Sequence, residues 1–337
     1  MSENLIIVPI VRDINVEPIP TFGKKVGREI IVTLFNDCNL NCSFCNGCLV
    51  VPEEYDQSLM YQMANDVCRI FDVVSDTTIK VKFTGGEILQ DKFKDEQFEH
   101  YAKICSIIRD YASSIGKVAN LSITSNLIFK KRERVLKFLV DNDIAITGSF
   151  DMVGRFDNPK LVDLFIENVD YLTNNGKEVK INFVAHKGNI NAIVNREQYI
   201  EQFEYLYNNY KVMLDHYTPV GVKEYDVSEQ ELSEFLKFLY HNYPNIEHLK
   251  AYVNNFETKK CEYIDCNRSV WVNGNGIVGD CNGNFVNGFV CQLEEKNCVM
   301  CKHLSYCKLV CSRIYRGTDF CYLRDFYDYL ESLECKN

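Results

Sequence analysis

The cysteines of Cys38-Asn-Leu-Asn-Cys42-Ser-Phe-Cys45 are separated by three and then two residues, just past the apolar run Ile30-Ile-Val-Thr-Leu-Phe35. Thiols so spaced, on what reads as a loop leaving a buried strand, suggest metal ligands. Structural zinc takes four protein ligands, and a [4Fe–4S] cube has four irons to ligate. A three-thiolate loop therefore suits a cube with one iron open to something other than protein. Three later segments carry further residues able to do chemistry: Thr84-Gly85-Gly86-Glu87, Ser125-Asn126, and Ser149-Phe-Asp151 with Arg155 just beyond. The glycine pair lets another group lie against bare backbone, because no β-carbon intervenes. Read alone, Gly-Gly-Glu is equally a tight turn whose glutamate favours a helix N-terminus.

These segments follow strands. Between residue 29 and about 217, β-branched or aromatic runs alternate with segments at helical period. Strands are expected at Glu29–Phe35, Thr78–Phe83, Ala119–Thr124, Ile144–Phe150, Val179–Ala185 and Lys211–Tyr217. Helices are expected at Tyr55–Val74, Phe93–Ser114, Lys131–Asp141, Pro159–Asn175 and Arg196–Tyr210. Such alternation implies parallel strands with helical crossovers, and six units imply a partial (β/α)6 TIM-like barrel with its chemistry in the loops after the strands. A helical bridge, Glu229–Asn242 and Ile246–Asn254, follows; then a Gly/Asn-rich hairpin in Asn273–Asn284, a cysteine-dense stretch and a closing helix, Asp319–Leu333. The expected division is an N-terminal extension (1–28), the barrel (29–225), the bridge (226–255) and a small cysteine-rich α+β domain (256–337).

Composition narrows the class. At 337 residues, 46% apolar and 25% charged, the chain can bury a large core. A formal charge of −10 disfavours nucleic acid or an anionic membrane surface as partner. The apolar stretch Asn4–Val11 is short, lacks a basic lead and ends at Arg12 and Asp13, so it is not a signal peptide, and no segment has the apolar length of a membrane span. A cytoplasmic location is expected. Of sixteen cysteines, ten fall between 261 and 335 and none between 106 and 260, a clustering that fits reduced, metal-binding thiols better than disulfides. Cys68 and Cys105 sit in helical patterns as packing residues, and Cys335 takes no role. His186 and His216, near the ends of the fifth and sixth strands, are expected at the barrel mouth as wall residues, with Asp215 and Tyr217 pointing the other way.

CNLNCSFC, then TGGE, then TSN on successive units resembles the radical S-adenosylmethionine enzymes over about 190 residues. The resemblance implies that Cys38, Cys42 and Cys45 hold a [4Fe–4S] cluster whose open iron is chelated by the amino and carboxylate groups of S-adenosylmethionine. It places Gly85, Gly86 and Glu87 by the amino group, Ser125 and Asn126 by ribose or carboxylate, Phe44 by adenine, and Ser149 and Arg155 as candidates for the carboxylate. In that family the Arg usually stands further from the Ser; its alternative here is a solvated loop residue. Downstream, Cys266, Gly276, Cys281, Cys298, Cys301, Cys307, Cys311 and Cys321 resemble, in order and spacing, the SPASM extension of one branch of the family. It implies two fully ligated auxiliary [4Fe–4S] clusters, one on Cys261, Cys266, Cys281 and Cys311, the other on Cys298, Cys301, Cys307 and Cys321. Cys48 and Cys291 lie near proposed clusters, where a thiol can give a hydrogen atom to a carbon radical or simply pack.

The implied activity is reductive cleavage of S-adenosylmethionine to a 5′-deoxyadenosyl radical, which abstracts hydrogen from a C–H bond. SPASM-bearing relatives make a peptide or small protein the first expectation for substrate: maturation of a ribosomal peptide by crosslinking, thioether formation or epimerisation. A flavodoxin- or ferredoxin-type reductant would serve it. About 28 residues precede the first strand, too few for a fused leader-binding domain, so a separate leader-recognition protein is a further expected partner. Formylglycine formation is disfavoured, because that subfamily has an aspartate directly after the cysteine matching Cys281, where this chain has Asn282. Dehydrogenation of a small molecule remains an alternative, and a non-catalytic multi-zinc scaffold is the alternative of another class.

Overall fold

A computed structural model describes residues 29–45, 52, 54–74, 76–217, 223–259, 269–279, 301–303, 306–307 and 320–334. The N-terminal extension and Cys48, Cys261, Cys266, Cys281, Cys291, Cys298, Cys311 and Cys335 lie outside the described residues.

Six parallel strands follow one another across the sheet: β1 (Glu29–Thr33), β2 (Thr78–Thr84), β3 (Val118–Ser125), β4 (Ala145–Ser149), β5 (Val179–Ala185) and β6 (Lys211–His216). The crossovers are α1 (Gln57–Val73), α2 (Asp95–Ser114), α3 (Arg132–Asp141), α4 (Pro159–Asn174), and the pair α5 (Lys187–Val194) and α6 (Ile200–Asn209). The last crossover therefore holds two helices where the sequence suggests one. Arg196 and Tyr199, both at positive φ (56° and 66°), break the path between them. Then come α7 (Glu229–Asn242), α8 (Glu247–Thr258), the hairpin β7 (Ser269–Asn273) and β8 (Gly276–Gly279), and α9 (Tyr322–Glu334). This is the expected α/β fold, with one addition. Instead of standing apart, β7 pairs in parallel with β1, Glu29 opposite Ser269, and extends the sheet to eight strands.

Strand alternation divides the sheet into two chemistries. Ile79, Val81 and Phe83, Ala119, Leu121 and Ile123, and Ile181 and Phe183 are buried in one apolar core with helix residues such as Phe71, Ile108, Leu139 and Phe165. The residues between them are Lys80, Lys82, Asn120, Ser122, Thr147, Lys180 and Asn182. Register places Lys80 beside Asn120, Lys82 beside Ser122, and Thr147 beside Lys180. One face is closed by helices and the other is polar.

Helix ends follow local chemistry. Asp56 caps α1 by accepting from Leu59 N at 3.0 Å, and Asn158 caps α4 with Pro159 in its first turn. Ser228 and Glu231 form a reciprocal capping box on α7. At the far end of the chain, α9 packs on α7, and Asp325 accepts from Ser233 Oγ and pairs with Lys237.

Candidate active site

The cysteine loop leaves β1 and returns to α1 through a neck in which Asn36 N donates to Pro52 O at 3.0 Å. Cys45 N donates to Cys42 O at 3.1 Å, a turn between the second and third cysteines. The loops after β2, β3 and β4 then grip it from three sides.

From β2, Gly86 N donates to Phe35 O (2.6 Å) and Glu87 N to Asp37 O (2.9 Å). A β-carbon on Gly86 would lie 1.9 Å from Asp37 O, and one on Gly85 2.3 Å from Phe35 O; Gly85 also has φ of +129°. The glycine pair is thus required by backbone packed on backbone. This changes the physical reading of the motif: the group lying against the bare glycines is the approach to the cysteine loop itself. Gln90 adds to the junction, its Nε2 donating to Glu87 O at 3.0 Å and to Asp37 O at 3.3 Å.

Glu87 turns inward and is buried. Its Oε1 accepts from Leu89 N (2.8 Å) and Ser125 Oγ (3.0 Å), and its Oε2 from Asn126 N (2.7 Å). Burial raises its pKa, against the pull of these donors and of Arg155. From β3, Asn126 Nδ2 donates to Asn39 Oδ1 (2.7 Å) and to Cys38 Sγ (3.7 Å), while Asn39 Nδ2 donates to Ile128 O (2.7 Å). Ser125 Oγ also accepts from Leu127 N at 2.9 Å. Leu127 stands at φ +55°, and Asn168 of α4 holds this turn by donating to Leu127 O and Phe129 O.

From β4, Gly154 O accepts from Ser43 N at 2.9 Å, and Gly154 (φ +80°) leaves room for Ser43 Oγ, which a β-carbon would meet at 2.6 Å. Arg155 sends Nε and Nη2 to Asp151 Oδ2, each at 2.7 Å, and Nη1 to Cys42 Sγ at 3.7 Å, with its guanidinium 5.4 Å from the Phe44 ring. Asp151 is fully buried; its other oxygen accepts from Val184 N and Asn189 Nδ2.

His186 faces the mouth as expected, its ring 4.6 Å from Phe44 and 4.9 Å from that of Tyr225. It caps α5, Nδ1 accepting from Asn189 N at 3.3 Å, which leaves the proton on a buried Nε2. Burial drives its pKa down to about 4. The expectation for β6 is reversed. Tyr217 lies with Phe44 and His186 at the mouth, whereas His216 turns away to Tyr252 OH (3.0 Å) and the Tyr322 ring, because α8 and α9 cover that side.

The structure thus brings together Cys38, Cys42, Cys45, Phe44, Gly85, Gly86, Glu87, Ser125, Asn126 and Arg155. Ser149 is buried at the end of β4, beside Asn182. Burial pushes the Cys38 thiol up to about 11 and raises that of Cys42, with the neighbouring cysteines adding to both. Such thiols ionise only with a compensating cation. N–H groups of Leu40, Asn126 and Arg155 already point at two of the sulfurs, and none of the three cysteines is in a disulfide. This donor set fits a thiolate-held iron–sulfur cluster. Near the C-terminus Cys301, Cys307 and Cys321 are half-buried. His303, between the first two, meets Asp328 at 2.9 Å in a carboxylate cluster already bridged by Lys302. Sequence reasoning missed Asn39, Asn189 and Tyr225, whose types are common and whose partners lie up to about 180 residues away. The four-residue step from Asp151 to Arg155 was the one legible signal of that ion pair.

No protein-family model matches the chain. It is 24% identical over 172 residues to 7-carboxy-7-deazaguanine synthase of Clostridium acetobutylicum, covering 44% of this chain and 76% of that one. It is 24% identical over 207 residues to GTP 3′,8-cyclase of Staphylococcus carnosus, covering 58% of this chain and 55% of that one. In fold it is similar to native anSMEcpe with bound AdoMet (TM-score 0.63, 14% identity, covering 91% of this chain and 98% of that one). The same protein with bound AdoMet and Cp18Cys peptide gives a TM-score of 0.61 at 15% identity, again over 91% of this chain and 98% of that one. The fold is that of these partial barrels. Sequence relatives and fold together support the resemblance to radical S-adenosylmethionine enzymes.

Proposed function

We propose that this chain is a radical S-adenosylmethionine enzyme that acts on a C–H bond of a peptide or small protein. The observation that carries the reading is the convergence of three strand-end loops on one three-cysteine loop with donors aimed at sulfur. Cys38, Cys42 and Cys45 would hold the cluster, which with S-adenosylmethionine supplies the 5′-deoxyadenosyl radical. The chain's own residues position and shield. The Gly85–Gly86 junction fixes the cysteine loop, and Glu87 locks the β2 and β3 loops together. Its Oε2 accepts one donor in the structure and so has capacity for an ammonium group. Ser125 and Asn126 join Glu87 beside the cysteine loop, Ser149 is kept as a candidate for the carboxylate, and the rings of Phe44, His186 and Tyr217 pack together next to Cys42. Cys261, Cys266, Cys281 and Cys311, and Cys298, Cys301, Cys307 and Cys321, are assigned to two auxiliary clusters, with Cys48 and Cys291 as candidate hydrogen-atom donors.

A peptide substrate is supported by the peptide-bound structures of similar fold and by the polar sheet face. The names of the two sequence relatives favour a second reading, a small-molecule substrate. The test is anaerobically purified protein incubated with S-adenosylmethionine and dithionite. 5′-Deoxyadenosine should form and Cys42→Ala should abolish it; equal turnover by that variant would refute the assignment.

A further inference from the structure

We propose that Arg155, held in place by Asp151, is a positioning residue for the thiolate of Cys42 and thereby sets the reduction potential of the cluster on this loop. The inference rests on the reading that Cys38, Cys42 and Cys45 hold an iron–sulfur cluster. It departs from the expectation that Arg155 serves a ligand carboxylate.

Arg155 has five N–H groups, and a carboxylate would be recognised through a pair of them in parallel. One such pair, Nε and Nη2, is already spent on Asp151 Oδ2 at 2.7 Å each. The opposite corner, Nη1, lies 3.7 Å from Cys42 Sγ. The guanidinium is nearly buried, at 13% exposure, so solvent screens this contact little. Asp151 in turn cannot swing away. It is fully buried, and Val184 N at 2.8 Å and Asn189 Nδ2 at 2.7 Å fix its second oxygen to β5 and α5. Asn189 is fixed as well, its Oδ1 accepting from Val153 N at 3.1 Å. The cation end of a buried ion pair therefore places an N–H at the Cys42 sulfur, with the anion held on the opposite edge of the guanidinium. Cys38 has different surroundings, meeting the neutral donors Leu40 N and Asn126 Nδ2.

An N–H donor and a positive charge at a ligating sulfur stabilise the more negative, reduced state of a cluster. Removing them makes reduction harder. The experiment is an EPR-monitored redox titration of the anaerobically loaded full chain without S-adenosylmethionine, following the signal that Cys42→Ala eliminates. Arg155→Gln should lower the midpoint potential at unchanged iron content. Arg155→Lys, which keeps the charge but loses the planar fork, should fall between the two, and Asp151→Asn should shift it by loosening Arg155. If Arg155→Gln does not retain the signal, the comparison of parent with Arg155→Lys decides. A midpoint equal to the parent's in the loaded variant overturns the proposal. If the parent has no reducible signal that depends on Cys42, the cluster reading fails instead.

Discussion

At Gly86 the added atom of an alanine would fall 1.9 Å from a carbonyl oxygen of the cysteine loop, so the loop would have to move. Gly86→Ala should cost about 1–3 kcal/mol of stability from overpacking. It should also lower iron incorporation, measured by iron content after anaerobic reconstitution beside a urea unfolding curve. His186 gives a pH signature. Its folded pKa lies near 4 and its unfolded value near 6.5, so below pH 6.5 the unfolded chain binds the extra proton. Its contribution to stability is complete above pH 6.5 and is lost on acidification toward pH 4. Urea midpoints at pH 7.5 and 5.5 should therefore converge in His186→Gln relative to the parent; an unchanged difference would place the titrating group elsewhere.

Among the elements, α4 has a duty beyond covering the sheet. Asn168, fully buried on that helix, donates to Leu127 O and Phe129 O and accepts from Arg132 Nε. Asn168→Ala would leave two carbonyls unpaired, at about 1–3 kcal/mol each. Because that turn carries Asn126 to Cys38, the predicted outcome is a destabilised protein that also loads iron poorly; full loading at normal stability would contradict it. The hairpin β7–β8 is another element with a changed role. Val270 and Val272 are buried in the barrel core, so Val272→Asp should destabilise the barrel itself, visible as a fall in the thermal midpoint of the main unfolding transition.

For the whole molecule, the proposed three cubes require about twelve irons per chain. Brown protein with that content and broad visible absorption is the expected result, and colourless zinc-rich protein would favour the scaffold alternative. Among the described residues no helix is long and apolar enough to cross a membrane.

The cysteine spacing, the Gly-Gly-Glu and Ser-Asn motifs and the strand–helix alternation were legible because each is local: thiol spacing, backbone freedom and side-chain period are written within a few residues. α7 was legible to its ends, since its capping box lies within four residues. Other features were decided only by the tertiary structure. The glycine pair faces the cysteine loop instead of open space, because parallel strands bring two strand-end loops side by side. Tyr217, and not His216, reaches the mouth, because α8 and α9 occupy the other side of β6. Arg155 meets Cys42 across 113 residues through an acid that β5 and α5 hold still. Sequence determined which groups could do chemistry; packing at long range decided which atom each one faces.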